Sequence, residues 1–346
     1  MAFQKAAGWG NLPNGNFSPV IYSKKMQKAF RKTSVVSDIT NNDYFGEISN
    51  YGDTVRIIKE PEIEVKSYAR GTKLTSQVVD DEDFTLIIDR SNYFQFAVDD
   101  IEEKHSHINF QSACTDRAGY KMKDKYDKDV LGYLCGYEYD DDAGTWSARS
   151  SAVGTKAEST ADSDELLATH KLDREYFGGA AGDSIAMGVA GTYDATPLQI
   201  LNRMIRLLSL KNVDTDNRWV VVDPVFVEKL MDEDSKFMDR DYQSSEQLSN
   251  GRIMSGKVRG FRMYESNNLP TLGTGPETAD TNGSASNFGI IVAGHNSAVA
   301  TAEQISKTES FRATDFFGDV VRGMHLYGRK ILRPEALVNA AYNINA

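Results

Sequence analysis

Apolar and polar residues alternate through Thr54-Val55-Arg56-Ile57-Ile58 and Glu62-Ile63-Glu64-Val65-Lys66, with Pro61 between the two runs. A period of two puts every second side chain on one face, so both runs predict β-strands. Phe84-Thr85-Leu86-Ile87-Ile88 predicts a third strand and Tyr93-Phe94-Gln95-Phe96-Ala97-Val98 a fourth. Between them Ser67 to Asp83 is polar and holds Arg70, Lys73 and the acidic run Asp80-Asp81-Glu82-Asp83. So long a hairpin has too few apolar residues to bury both faces, and a lone two-stranded ribbon is marginal in water. Its packing partner is therefore expected on another chain.

After Asp99 the period changes. Phe110, Cys114, Ala118, Met122, Tyr126, Val130 and Leu134 recur every four residues, with charged residues between them. This predicts an amphipathic helix of about six or seven turns; four residues overshoot the 3.6-residue turn, so the stripe rotates and successive turns face different partners. Gly119 is a weak point within it. Residues 139–165, rich in Ser, Gly, Asp and Ala, predict a loop. Thr196 to Lys211 predicts a helix with Thr196 as N-cap and Pro197 at its first position. Trp219 to Asp223 predicts a buried strand, and Pro224 opens a helix that runs to Met231. Phe288 to Ala293 predicts another buried strand, Thr271 to Ser286 a surface loop, and Met324 to Asn345 paired closing strands around Pro334. Upstream of all this, Gly8, Gly10, Pro13, Gly15 and Pro19 favour an extended arm. Ile21, Met26, Ala29 and Phe30 fit a short basic helix over Val20 to Lys32, docked on its own domain or on a neighbouring subunit.

The length of 346 residues suits two domains or one elaborated domain. With 40% hydrophobic and 26% charged residues, wholesale disorder is excluded. No window approaches the ~18 apolar residues of a membrane span. The N-terminus lacks the apolar core of a signal peptide, which predicts a product that stays in the cytoplasm at first. Two cysteines, Cys114 and Cys135, are too few for a disulfide framework or a four-thiolate metal site. The net charge of −11 argues against a dedicated nucleic-acid reader. That total conceals an asymmetry: residues 1–37 carry Lys5, Lys24, Lys25, Lys28, Arg31 and Lys32 and no acid, a +6 arm on a body of −17. Such an arm suits the acidic surface of a neighbour.

Motifs for chemistry are weak. His105-Ser106-His107 has no Cys or third His fixed nearby, and Asp140-Asp141-Asp142 lacks the spacing of a calcium loop. Gly178-Gly179-Ala180-Ala181-Gly182 lacks the Lys-Ser/Thr ending of a phosphate cradle and reads as a flexible turn. The five histidines are scattered, and 50 acids give many chance pairs with none preferred. No catalytic, cofactor-binding or metal-binding residue is assigned, and no cofactor is expected. A soluble two-domain hydrolase or oxidoreductase is the alternative these residues leave open.

The order of elements is basic arm, short helix, polar β-excursion, long helix, a second α/β region, then closing strands. Together with local motifs, it resembles the major capsid protein of tailed bacteriophages, an α+β fold of the Hong Kong 97 type. The motifs are Tyr22-Ser23-Lys24-Lys25-Met26-Gln27-Lys28-Ala29-Phe30 with Ser34-Val35-Val36, and Asn41-Asn42-Asp43-Tyr44-Phe45-Gly46-Glu47-Ile48 leading into Gly52-Asp53-Thr54-Val55. Tyr93 to Glu102 and Gly260-Phe261-Arg262-Met263-Tyr264-Glu265-Ser266-Asn267-Asn268-Leu269-Pro270 extend the likeness. The resemblance implies an N-terminal arm over 1–51 and an extended loop over 52–98 that lies across an adjacent subunit. It further implies a peripheral domain with a spine helix over 99–138 and 323–346, and an axial domain over 139–322. Implied with it is a virion shell of pentamers and hexamers around double-stranded DNA, held without sequence-specific binding and built in the host cytoplasm. A portal protein, a separate scaffolding protein or none, and possible cement proteins are the implied partners, with no membrane. An encapsulin-type nanocompartment shares the fold and is the nearer alternative. Lys24, Lys25, Lys28, Arg31, Lys32, Arg70, Lys73, Asp80, Asp81, Glu82 and Asp83 are the expected inter-subunit contacts.

Overall fold

Trp219-Val220-Val221-Val222 offers no polar face, and the computed structural model buries all four residues. The structure describes residues 34–41, 54–58, 63–71, 73–74, 76–77, 83–99, 110–148, 166–188, 194–232, 258–277, 287–314 and 317–344. A single turn α1 (Val36–Ile39) leads to strands β1 (Thr54–Ile58), β2 (Asp83–Ile87) and β3 (Arg90–Asp99), then to the long helix α2 (Phe110–Cys135). A hairpin follows, β4 (Tyr137–Asp140) and β5 (Thr145–Ala148), then short strands β6 (Lys171–Leu172) and β7 (Ile185–Met187). Helix α3 (Pro197–Leu210), strand β8 (Arg218–Val222) and helix α4 (Pro224–Leu230) come next, then β9 (Arg262–Glu265) and β10 (Thr271–Leu272). The chain closes with β11 (Phe288–His295), β12 (Val299–Arg312), β13 (Gly318–Ile331) and β14 (Leu337–Ile344).

Seven of these strands form one sheet ordered β6-β14-β11-β8-β9, with β7 on β14 and β10 on β11. Alternate residues of β8 serve two cores. Val220 and Val222 pack with Ile200, Leu201 and Met204 of α3 and Phe226 of α4. Trp219 and Val221 pack with Val130, Leu131 and Leu134 of α2. A strand covered on both faces has no reason to alternate, which is why it reads as a continuous apolar run. Helix α3 starts with a complete capping box, Thr196 accepting from the Gln199 N–H while the Gln199 side chain accepts from the Thr196 N–H. Asp223 caps α4 in the same position before Pro224.

The other large unit is a three-stranded antiparallel sheet, β12-β13-β3, whose outer strands flank the 14-residue β13. Helix α2 joins the two sheets. Tyr126 stands edge-on to His325 and Tyr327 of β13, while Val130 and Leu134, one and two turns on, enter the core beside the seven-stranded sheet. The rotating stripe predicted from the four-residue spacing thus meets different partners along the helix. A Cβ on Gly132 would lie 2.6 Å from the Trp146 ring, so close packing of the β4–β5 hairpin accounts for this second glycine in the helix.

Four expectations are corrected. Residues 63–71 form no strand and are all exposed: with Val65 94% exposed, no surface is present to order an alternating run. The segment taken as a loop from 139 instead begins with the β4–β5 hairpin, closed by Asp140 Oδ1 accepting from the N–H groups of Asp142 and Ala143 and by Tyr139 edge-on to Trp146. Thr271 and Leu272, expected in a surface loop, pair with Gly289 and Phe288. The closing strands form but do not pair with each other, because the Pro334–Ala336 turn sends β13 and β14 into different sheets. Strand β14 thereby joins β8 and β11, across the boundary expected at residue 323. The predicted helix at 20–32 and the His105/His107 pair lie outside the described residues.

Candidate assembly surfaces

Ribbon β1–β2 is antiparallel, with Thr54 opposite Ile87 and Ile58 opposite Asp83. It is anchored at its root, where Leu86 and Ile88 are buried with Ala300 and Ala302 beside partly buried Ile57 and Leu326. The anchor is a close backbone crossing: a Cβ on Gly328 would stand 2.3 Å from the Ile87 carbonyl oxygen. Beyond the root the described residues between 63 and 77 are exposed to solvent. Glu64 N–H donates to Gln77 Oε1 at 2.9 Å, tying its two limbs together, and Gly71 turns at φ 90°.

Arg70 and Lys73 are exposed on this segment. Asp83 is the first residue of β2, while Lys24, Lys25, Lys28, Arg31, Lys32, Asp80, Asp81 and Glu82 lie outside the described residues. Charge directed the sequence argument to Arg70 and Lys73 and passed over their neighbours. Ile63, Val65, Tyr68 and Leu74 are 70%, 94%, 65% and 78% exposed. Apolar side chains inside an otherwise polar excursion were the signal that could have found them. Four large apolar residues in one exposed segment form the kind of patch that marks an interaction site.

A second open surface lies on the three-stranded sheet, on the face that β1–β2 covers only at its base. A cleft of about 320 Å³ is lined by Tyr93, Phe94, Gln95, Lys307, Glu309, Arg322, Gly323 and Met324. Tyr93 is 81% exposed there, and Met324 and Phe311 each 42%. Phe94 and Gly323 are paired in register, and the ring covers the glycine so closely that a Cβ would clash at 2.3 Å. Arg322 donates to Glu309 Oε2 from Nη2 at 3.0 Å and from Nε at 3.3 Å, and its guanidinium lies 5.0 Å from the Phe311 ring centre. Lys307 also pairs with Glu309, and these two cations hold the Glu309 carboxyl below its usual range. At the tip of the long strands Arg312 bonds Asp319 at 3.3 Å, and Phe317 is 81% exposed.

The interior polar groups serve the fold. Asp129 accepts from Tyr327 O–H at 3.0 Å and pairs with Arg329 at 3.1 Å, and the Arg329 guanidinium covers Tyr133 at 4.5 Å. Tyr342 O–H donates to the capping Asp223, and burial raises both groups above their ordinary values. Asp173 accepts from the Glu175 and Gly182 N–H groups, which makes the Gly178–Gly182 stretch a closed turn. Among the described residues no cluster of three His, Cys, Asp or Glu side chains is placed to hold a metal ion. No described helix is long and apolar enough to cross a membrane.

No protein-family model and no curated protein matches the chain. Solved structures do match. One from Mycobacterium phage Che8 aligns at a TM-score of 0.66 and 24% identity, over 94% of this chain and 97% of that one. The capsid structure of cyanophage P-SCSP1u aligns at 0.65 and 17% identity, over 100% of both chains. The fold is of the Hong Kong 97 type. The capsid of Ralstonia phage GP4 gives the same outcome for this Hong Kong 97-type chain, 0.64 at 12% identity over 99% of each chain. The fold thus persists where few residues are shared, as expected when layers and connections, rather than individual side chains, define it.

Proposed function

We propose that this chain is the major capsid protein of a tailed phage, assembling into pentamers and hexamers of an icosahedral shell around double-stranded DNA. The observation that carries the proposal is the alignment with the cyanophage capsid chain over the full length of both. In this reading the three-stranded sheet and α2 are the peripheral domain, and the seven-stranded sheet, β14 included, is the axial domain. The β1–β2 ribbon and residues 63–77 are the extended loop. Its exposed Ile63, Val65, Tyr68 and Leu74 pack on an adjacent copy, and the open face around Tyr93 and Met324 offers apolar surface for such a contact.

Many modest contacts suffice, because closure of a symmetric shell makes them act together. The exposed charges, Arg70 and Lys73 on the loop and the basic residues of the arm, set register more than strength, since an exposed ion pair is worth about 0–1 kcal/mol. The acidic body suits a container, whose wall does not grip packaged DNA tightly. A portal and a scaffolding protein, assembly in the host cytoplasm, and the absence of a catalytic role belong to the same proposal. Expression of the chain alone and with its scaffold, followed by electron microscopy, tests it. Closed shells or rings of five and six are expected. A strictly monomeric product in both cases, across salt and concentration, overturns the proposal.

A further inference from the structure

Residues 34–41 dock on the body of the subunit. Val36 and Ile39 are fully buried against α2 and the start of β12. Asn41 N–H donates to the Val299 carbonyl at 2.8 Å, Thr301 N–H returns a bond to the Asn41 carbonyl at 3.1 Å, and the Thr40 and Thr301 hydroxyls meet at 2.9 Å. At the other end stands one carboxylate. Asp127 of α2, 1% exposed, accepts from the Ser34 hydroxyl at 2.8 Å and from the Val35 N–H at 3.3 Å.

Among the described residues the charge balance at this carboxylate is unfavourable. The groups that face it are the Ser34 hydroxyl and the N–H groups of Val35 and Val36 from the arm, and Asp124 from its own helix, a like charge. Asn268 reaches in from the loop after β9 to hold Asp124 at 3.0 Å. Among the nearby helix residues Lys128 lies over the Tyr139 ring, and Asp129 is engaged by Tyr327 and Arg329. Among the described residues no cation offsets the buried charge. A buried ion without an opposite charge favours its neutral form.

We propose that Asp127 and residues 34–41 form a proton-tightened clasp, which holds the root of the basic arm more firmly in mild acid than at neutral pH. The contacts fit both states. A hydroxyl both donates and accepts, so protonated Asp127 gives its hydrogen to Ser34 Oγ and still accepts the Val35 N–H through the other oxygen. Burial, the largest influence, and the neighbouring Asp124 push the docked carboxyl up to about 6 from an ordinary 3.8. Peeling the segment away returns Asp127 to water and to its ordinary value. The docked form therefore binds a proton that the released form does not between those two values, and docking strengthens as pH falls through 6. The clasp stands whether or not the chain builds a shell.

Amide hydrogen exchange on the full chain tests this, with assembly state held constant and checked by light scattering. Protection of the Thr40 and Asn41 amides, corrected for intrinsic exchange, is expected to rise about tenfold between about pH 7.5 and about pH 5. Asp127→Asn, neutral and of the same shape, keeps these amides protected and removes the pH dependence. Ser34→Ala removes the hydroxyl that favours the ionised form and moves the midpoint to higher pH; it decides the matter if Asp127→Asn does not fold. Protection that is flat or falls with acid in the parent, or a midpoint unmoved or lowered in Ser34→Ala, overturns the clasp.

Discussion

Replacing Ile63, Val65 and Leu74 together by serine separates assembly from folding. The three side chains are 70%, 94% and 78% exposed, so the isolated subunit gains almost nothing from them. Surface changes of this kind stay within about 0.5 kcal/mol of the parent in unfolding free energy. Full burial of such a side chain against a neighbour is worth about 1.5–3 kcal/mol, so three give a gross gain of about 4–9 kcal/mol per contact. Ordering the loop and desolvating its polar atoms offset much of that. Even a residual 2 kcal/mol weakens each contact about thirtyfold, and a closed shell repeats the deficit in every subunit. Denaturant unfolding of the unassembled variant should therefore match the parent, while sedimentation velocity and electron microscopy should show no shells at concentrations where the parent forms them. Shells at parental yield would refute the reasoning. A large drop in the unfolding midpoint would refute it differently, by showing that these residues serve their own subunit.

Three smaller perturbations probe the scaffold beneath the surfaces. Gly328→Ala forces a methyl against the Ile87 carbonyl, 2.3 Å away, and should cost about 1–3 kcal/mol in unfolding free energy. Thr196→Ala removes half of the capping box and should cost about 1 kcal/mol, visible as a lowered urea midpoint with unchanged slope. A thiol reagent should label Cys114, half-buried on the outer part of α2, while Cys135, buried and with its thiol pushed up by desolvation, reacts only on unfolding.

Where a signal is local, the sequence carried it. Thr196-Pro197 and Asp223-Pro224 place two helix starts through bonds spanning three residues, and both helices begin there. The four-residue stripe runs from Phe110 to Leu134, and every residue of Phe110–Cys135 is helical. The unsupported β-excursion was legible as a deficit of apolar cover, and the described residues between 63 and 77 are exposed. Charge singles out Arg70 and Lys73, which cost nothing to leave in water, whereas exposed Val65 and Leu74 carry a cost that burial would relieve. The β4–β5 hairpin was missed because its strands are four residues each and owe their order to Trp146 packing against α2 and Tyr139.

By itself the sequence determined where α2, α3, α4, β8 and β11 run and that residues near 63–71 lack apolar cover within the subunit. Those properties follow from capping groups and from periods of two and about four, all within a few residues of chain. The tertiary structure alone decided how strands combine. The sequence predicts that the closing strands pair with each other, yet β13 joins the sheet bearing the open cleft and β14 crosses to the sheet covered by α3 and α4. A strand's own residues specify that one face must be buried but not by what. That choice rests on distant contacts such as Gly328 against Ile87 and Tyr342 against Asp223, which exist only once the layers are packed.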